Sequence, residues 1–168
     1  MVRVADEPIP FGRSFVQSEA FRALFREGMS LVEDTAAYLD GPGRDESRGL
    51  SRTAALTYAS ESMRLTTRLM QIASWLLVQR AVSEGEITPS QALTEKNRVR
   101  LSTQETPSSF TEFEALPERL KDLVGLSVRL HARILHLDQL TTEDQSKLTP
   151  DSPVAVQQWL LRSAFGGR

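Results

Sequence analysis

One stretch of this chain, from Ser51 to about Ser83, contains neither proline nor glycine. Apolar and small residues recur in it at three- and four-residue steps, the repeat of one helix face, and they are Leu56, Ala59, Met63, Thr66, Met70, Ala73 and Leu77. A second row widens this stripe and consists of Leu65, Leu69, Ile72 and Leu76. At 1.5 Å per residue the stretch makes a rod about 45–50 Å long. So wide an apolar stripe predicts that other helices cover this one on more than one side.

The composition favours an all-α domain built around this rod. Of the 168 residues, 40% are hydrophobic and 25% are charged, which is ordinary for one soluble domain. Aromatic residues make up only 7% of the chain, and the β-branched runs between tight turns that mark strands are missing. We therefore predict an antiparallel three-helix bundle with a short extra helix and a flexible C-terminal tail.

The charge balance and the cysteine content exclude several classes of function. Lys and Arg total 20 against 22 Asp and Glu, a net charge of -2, so no global positive field would hold nucleic-acid phosphates. The absence of cysteine excludes disulfides, thiolate nucleophiles and thiolate metal sites. The N-terminus lacks the apolar region of a secretory signal, and arginines interrupt the longest apolar run. We expect a soluble, cytoplasmic protein with no nucleic-acid or membrane partner.

Breakers and caps divide the N-terminal half into an arm and two helices. Residues 1–13 contain two prolines and a glycine and predict a flexible arm. The first helix begins near Ser14 or Ser18 and stops at the Gly41–Gly43 turn. This connection is short, so helix two, with Ser51 as its N-cap, should pack antiparallel to helix one.

The C-terminal half predicts a short helix, a third main helix and a tail. Thr88, Pro89 and Gln91 have the spacing of a capping box with proline at the first helical position. Pro117 opens the third main helix, whose stripe is Leu120, Leu123, Leu126, Leu130, Ile134 and Leu137. A close helix crossing would explain its internal Gly125. The bundle domain is thus predicted over residues 14–140 and the polar, flexible tail over 141–168.

No pattern of residues points to catalysis or to a bound cofactor. The only imidazoles, His131 and His136, lie about 140° apart around a helix, so they cannot share a ligand face. We interpret them as ordinary surface or edge histidines. Neither a nucleophile elbow nor a paired-carboxylate motif singles out any serine or aspartate. We expect no enzymatic activity, no metal and no cofactor.

Two clusters are candidates for binding a partner. The first is a polar row along helix two: Glu61, Arg64, Arg68, Gln71, Trp75 and Gln79. It is either a solvated edge with a weak Glu61–Arg64 ion pair or a docking strip, because Arg and Trp are frequent at interface hot spots. The second cluster ends the tail: Trp159, Leu160, Leu161 and Phe165. It either folds back as a helix that caps the bundle or docks on a partner as a tethered peptide.

Two runs carry a resemblance to a known family. FREGMSLVEDTAAYLDGPGR and LTYASESMRLTTRLMQIASWLLVQRAVSEGEI closely resemble the alphaproteobacterial family of the regulator of CtrA degradation, RcdA. The resemblance implies a cytoplasmic, non-enzymatic adaptor with a three-helix bundle fold that forms a homodimer. Such adaptors help the ClpXP protease, once primed by a small response-regulator-like protein, to degrade cargo such as cell-cycle transcription factors. It also implies a position at a cell pole and a flexible tail tied to function.

Two further interpretations stay open beside the adaptor. One is a structural or regulatory homodimerisation module that binds a transcription factor without any protease. The other is a small-molecule-binding bundle or enzyme, which needs a deep pocket with converging polar groups. For a homodimer, we predict that an apolar strip of helix one or helix two stays exposed on each subunit.

Overall fold

The computed structural model describes residues 11–98 and 108–148, and every regular element in those ranges is a helix. The helices are α1 (Phe11–Val16), α2 (Glu19–Asp40), α3 (Pro42–Arg48), α4 (Arg52–Ser83), α5 (Pro89–Arg98), α6 (Phe110–Glu114) and α7 (Glu118–Leu148). The all-α prediction is therefore confirmed. The long helices α2, α4 and α7 surround the core, and α1, α5 and α6 pack against them.

Local capping chemistry sets the starts of these helices as the sequence predicts. Ser18 is the N-cap of α2 and Ser51 is the N-cap of α4, and each side chain accepts a hydrogen bond from the backbone N–H three residues on. At the start of α5, the backbone N–H of Thr88 donates to Gln91 Oε1 over 2.9 Å, while the N–H of Gln91 donates to Thr88 Oγ1 over 3.2 Å. This is a complete capping box. At the other end of α4, Gly85 has a φ of 74°, the left-handed conformation of a C-terminal stop.

The turn after α2 contains a helix that the sequence did not predict. Helix α2 ends at Asp40 as expected, but Pro42 then opens α3. Gly43 lies in this helix with no room for a side chain, because a Cβ there would be 2.8 Å from the Tyr38 carbonyl oxygen and 2.6 Å from Tyr58 Oη. The Tyr38 hydroxyl in turn donates to Glu46 over 2.7 Å. Gly43, which the sequence analysis placed in a turn, thus allows α3 to pack closely against Tyr38 and Tyr58.

The long helices do not all alternate in direction. Helix α2 is antiparallel to α4, as predicted, since Gly28 lies against Leu76 near one end and Gly43 lies against Tyr58 near the other. Helix α7 instead runs parallel to α4. Arg68 of α4 bonds to Ser127 of α7, and Trp75, which comes later in α4, bonds to Asp138, which comes later in α7. Ser108, which precedes α7 in the chain, already bonds to Glu61 in the first half of α4, so α7 begins beside that half.

Three helices converge at Gly28 of α2. A Cβ at this position would collide with Leu76 Cδ1 and would lie 3.7 Å from Ile72 Cγ2 and 3.8 Å from Leu130 Cδ2. The close crossing proposed for Gly125 is not found, because a Cβ there would meet only the Arg129 guanidinium of its own helix at 3.5 Å. The interior glycine needed for helix packing is therefore in α2, not in α7.

The core lies on a different face of α4 from the one the stripe indicated. The row that was expected to flank the stripe is the buried one, and it comprises Leu65, Leu69, Ile72 and Leu76. The four largest residues of the stripe face outward, with exposed fractions of 65% for Leu56, 72% for Met63, 66% for Met70 and 52% for Leu77. Other helices pack against α4, as predicted, but they leave open the face that carries these four residues.

Helix α7 is longer than the sequence predicted. Its core residues are Leu120, Leu123, Val124, Leu130 and Ile134, whereas Leu126 and Val128 are exposed. The predicted tail begins at residue 141, yet α7 continues to Leu148, and the buried Thr141 donates its hydroxyl to the Asp138 carbonyl oxygen over 3.0 Å. The predicted arm lies almost wholly outside the described residues, since α1 begins at Phe11. Within those residues, no helix has the length and apolar character needed to span a membrane.

Candidate interaction surfaces

The polar row of α4 faces the inside of the bundle. Four of its members are buried, and they are Glu61, Gln71, Trp75 and Gln79. Arg64 and Arg68 are half-buried. The sequence predicted either a solvated edge or an open docking strip, and neither describes this row. The row lies along the contact between α4 and α7, and Glu61 at its start contacts Ser108, just before α6.

Glu61 joins α4 to the start of the α6 segment. Its Oε1 accepts a hydrogen bond from Ser108 Oγ over 2.7 Å and pairs with the Arg64 guanidinium. The backbone N–H of Ser108 also donates to this oxygen over 3.4 Å. A buried carboxylate needs such partners, since an unpaired one is costly away from water. The ion pair is therefore part of the tertiary structure and not only a surface contact between neighbouring turns.

Arg68 reaches across to α7. Its guanidinium donates to Ser127 Oγ over 2.8 Å, and that hydroxyl donates to the Val124 carbonyl oxygen over 2.7 Å. Burial lowers the pKa of Arg68, while the nearby Glu61 carboxylate opposes this shift. The group remains a cation, because an arginine side chain does not lose its proton in proteins. A positive charge thus sits at the α4–α7 contact.

Trp75 and Asp138 connect three helices. The buried indole of Trp75 donates from Nε1 to Asp138 Oδ1 over 2.8 Å. The same carboxylate oxygen lies 2.9 Å from Lys96 Nζ of α5. The indole therefore has its polar atom paired and its ring in the core, which is how tryptophan is normally buried.

Glu61 and Trp75 were predicted to bind a partner, and their partners in this fold are Ser108, Arg64 and Asp138. Partner binding stays a prediction for the half-buried Arg64 and Arg68. It also stays a prediction for four residues outside the described part of the chain: Trp159, Leu160, Leu161 and Phe165.

An apolar strip lies on the outside of α4. We call it the α4 strip. Its large members are Leu56, Met63, Met70 and Leu77, at steps of seven residues, and small residues lie between them: Ala59, Ser60, Thr66, Thr67, Ala73 and Ser74. Steps of seven are the repeat of a coiled-coil seam, which places apolar side chains along one line of a helix. The strip fits the expectation that helix one or helix two keeps an apolar strip exposed.

Thr66 and Thr67, at the middle of the α4 strip, have no free hydroxyl donor. Thr66 Oγ1 donates to the Ser62 carbonyl oxygen over 2.9 Å, and Thr67 Oγ1 donates to the Met63 carbonyl oxygen over 3.0 Å. Bonding of a threonine hydroxyl to its own helix leaves the methyl group to face outward. The strip therefore stays apolar through its centre, although two of its residues are threonines.

Comparison with known proteins identifies the family. The family model described as a protein of unknown function (DUF1465) matches residues 12–165. The crystal structure of RcdA from Caulobacter crescentus CB15 superposes with a TM-score of 0.63 and is 53% identical in sequence, covering 77% of this chain and 96% of that chain. This chain belongs to the RcdA family. No curated protein matches it. The resemblance to the RcdA family that the two sequence runs indicated is thus confirmed.

One histidine of this RcdA-family protein is buried against expectation. His131 lies on the inner face of α7, whereas His136 is exposed as predicted. The Nε2 atom of His131 has no hydrogen-bond partner among the described residues. Burial, and secondly the charge of Arg68, lower the pKa of His131. Among the described residues, no group of three or more His, Asp or Glu side chains is arranged to hold a metal ion.

The lowered pKa of His131 predicts that the fold loses stability in mild acid. The unfolded chain binds a proton near the ordinary value of 6.5, but the folded imidazole stays neutral to lower pH. The His131 contribution to the free energy of unfolding is therefore complete above about pH 6.5 and decreases as the pH falls below it, by at most about 1.4 kcal/mol per pH unit. Denaturant titrations at pH 7.5 and 5.5 should show a smaller loss for His131→Gln than for the native chain. The exposed-site variant His136→Gln should keep the native loss, and equal losses in all three proteins would contradict the prediction.

Proposed function

We propose that this protein is a non-enzymatic adaptor that helps deliver cell-cycle regulatory proteins to the ClpXP protease. It does so together with a small response-regulator-like priming protein, in the cytoplasm and at a cell pole. The observation that carries the proposal is the 53% identity to RcdA over 96% of that chain. The resemblance of the two sequence runs to the family of the regulator of CtrA degradation points to this role.

The geometry of the described residues supports an adaptor in two ways. Hydrogen bonds of the polar row connect α4 to α7 and to Ser108, just before α6. These connections hold the helices in fixed positions, so the bundle presents rigid surfaces. The α4 strip exposes large apolar side chains along one side of that rigid body. Contiguous exposed apolar surface on a soluble protein is typical of a protein–protein interface.

The occupant proposed for the α4 strip is a second copy of this chain, which makes the adaptor a homodimer. Met70→Lys places a charge at the middle of the strip and should give a monomer by light scattering at micromolar concentration, because burying an unpaired ammonium is unfavourable. The circular dichroism spectrum should stay native, since Met70 touches solvent in the single chain and its replacement leaves the core intact. The matched control is Val128→Lys, at an exposed apolar position of α7, and it should stay dimeric. A monomeric native chain would remove the homodimer from the proposal.

A reconstituted degradation assay tests the adaptor function. It contains ClpXP, the priming protein and a candidate cell-cycle cargo, with the full-length chain or a chain that ends at Leu148. The cut is placed there because α7 continues to Leu148 and Thr141 is buried. The full-length chain should accelerate loss of cargo. The shortened chain should keep its melting temperature and lose most of this acceleration, if Trp159, Leu160, Leu161 and Phe165 contact a partner.

The assay also separates the adaptor from the dimerisation module. If both chains bind cargo and neither changes its rate of degradation, the module that binds a transcription factor without a protease becomes the better assignment. Omission of the priming protein provides the internal control, because an adaptor that acts on a primed protease should lose its effect without it.

A further inference from the structure

Arg68 differs from the other partly buried cations of the bundle because it has no carboxylate partner. Within residues 14–96 and 108–144, four lysine and arginine side chains are partly withdrawn from water: Arg64, Arg68, Lys96 and Lys121. Three of the four form an ion pair: Arg64 with Glu61, Lys96 with Asp138, and Lys121 with Glu118. In this part of the chain Arg68 bonds only to the neutral hydroxyl of Ser127, over 2.8 Å.

The surroundings of Arg68 leave a positive charge in excess. Glu61 already pairs with Arg64 and accepts from Ser108, so its one carboxylate faces two guanidinium groups. Arg64 and Arg68 are four residues apart on α4, a spacing at which like charges repel. Burial lowers the pKa of Arg68, Glu61 partly opposes this shift, and the charge of Arg64 adds to it. A half-buried cation is favourable only where a counter-charge compensates it.

Both guanidinium groups have hydrogen-bond donors to spare. Each carries five N–H donors in a planar fork. Among the described residues, only Nη1 of each is bonded, that of Arg64 to Glu61 and Ser108 and that of Arg68 to Ser127. The remaining nitrogens are not among the fully buried polar atoms that lack a partner, so they reach solvent. A carboxylate can accept two parallel hydrogen bonds from such a fork.

From these contacts we infer that Arg68, together with Arg64, binds a carboxylate in an acidic segment of a partner protein. The inference rests on the proposed function, because it takes the ligand to be part of a protein that the adaptor binds, and it adds the chemistry of the contact. One excess positive charge matches one carboxylate, whereas a phosphate group carries about two negative charges. The site lies on the side of α4 that meets α7, which is not the side of the α4 strip.

Arg68→Met separates binding from stability. Methionine keeps the apolar stem and removes the charge, and Ser127 still donates its hydroxyl to the Val124 carbonyl oxygen over 2.7 Å. Because an uncompensated cation is removed and no buried group loses its only partner, the melting temperature should stay native or rise. A clear fall would overturn the premise that the fold leaves this charge uncompensated, and the inference with it.

An NMR titration of the full-length chain measures binding. The probe is a blocked nine-residue peptide of glycine, serine and leucine with one central glutamate, and its counterpart has glutamine there. The chain contains only two histidines, His131 and His136. Burial, and secondly the charge of Arg68, lower the pKa of His131, so its ring signals report on an anion bound at Arg68. The glutamate peptide should shift these signals and leave those of the exposed His136 in place.

The affinities should depend on both charges of the contact. The glutamine peptide should bind at least about tenfold more weakly than the glutamate peptide, because hydrogen bonds between charged groups are the stronger ones. Arg68→Met should weaken binding of the glutamate peptide by a similar factor. The matched control is Arg129→Met, which removes the same charge from an exposed position of α7 and should bind like the native chain.

Four results would overturn the inference. They are equal binding of the two peptides, native binding by Arg68→Met, equal loss of binding in Arg129→Met, and binding of a phosphoserine peptide without binding of the glutamate peptide. If a chain ending at Leu148 binds and the full-length chain does not, the protein's own tail fills the site, and the inference also fails. The titration contains no protease and no cargo, so its failure leaves the degradation assay to be read by itself. A failed degradation assay would in turn leave the carboxylate site in place.

Discussion

Gly28→Val should lower the free energy of unfolding by about 2–3 kcal/mol, the usual cost of overfilling a packed core. The added carbons have no space, because even a Cβ at this position collides with Leu76 and touches Ile72 and Leu130 of the two neighbouring helices. Leu76 cannot move away readily, since it is fully enclosed. For a chain of this size the melting temperature should fall by about 5–10 °C.

The same glycine removal at Gly125 provides the matched control. A Cβ there meets only the flexible end of Arg129 at 3.5 Å, so Gly125→Ala should gain helix propensity of up to about 1 kcal/mol and pay no packing cost. Chemical denaturation of both variants should therefore give changes of opposite sign. A Gly28→Val protein as stable as the native chain would mean that α2, α4 and α7 do not approach as closely as described.

Trp75→Ala should cost about 3–5 kcal/mol, because it empties a large buried volume in the core. Trp75→Phe should cost less, about 1.5–3 kcal/mol, since the ring is largely kept while the hydrogen bond to the Asp138 carboxylate is lost. Asp138 keeps its ion pair with Lys96 in both variants. Guanidinium chloride unfolding followed by far-ultraviolet circular dichroism measures both changes.

The Trp75 variants also decide between a core residue and an interface hot spot. If Trp75 were a surface hot spot, its replacement would weaken partner binding and leave stability unchanged. Because the indole is buried, we expect the main effect to be a loss of stability. Leu126→Ala, which truncates an exposed apolar residue of α7, should change stability by less than about 0.5 kcal/mol and controls for loss of apolar surface alone. A stable Trp75→Ala protein would return Trp75 to the list of candidate docking residues.

The helical class, the boundaries of α2 and α4 and the family could all be predicted from the sequence. These features depend on neighbours within a few residues: Ser18 and Ser51 cap helices, Thr88 and Gln91 form a capping box, and Gly85 ends α4. Such signals act locally, so they are legible without knowledge of the fold. No catalytic pattern was found in the sequence, and the adaptor interpretation came from the resemblance that the two sequence runs carry.

Contacts between distant parts of the chain select the face of α4 that lies inside the bundle. Leu69 and Met70 are both apolar, and periodicity cannot tell which of two adjacent apolar rows meets α2 and α7. The sequence left the polar row as either a solvated edge or a docking strip, yet Arg68 and Glu61 bond to Ser127 and Ser108, which are distant in the chain. The direction of α7 depends in the same way on the contact of Ser108 with the first half of α4. Pairings between residues far apart in sequence, which no local rule encodes, buried four residues of the polar row and left the four large residues of the apolar stripe exposed.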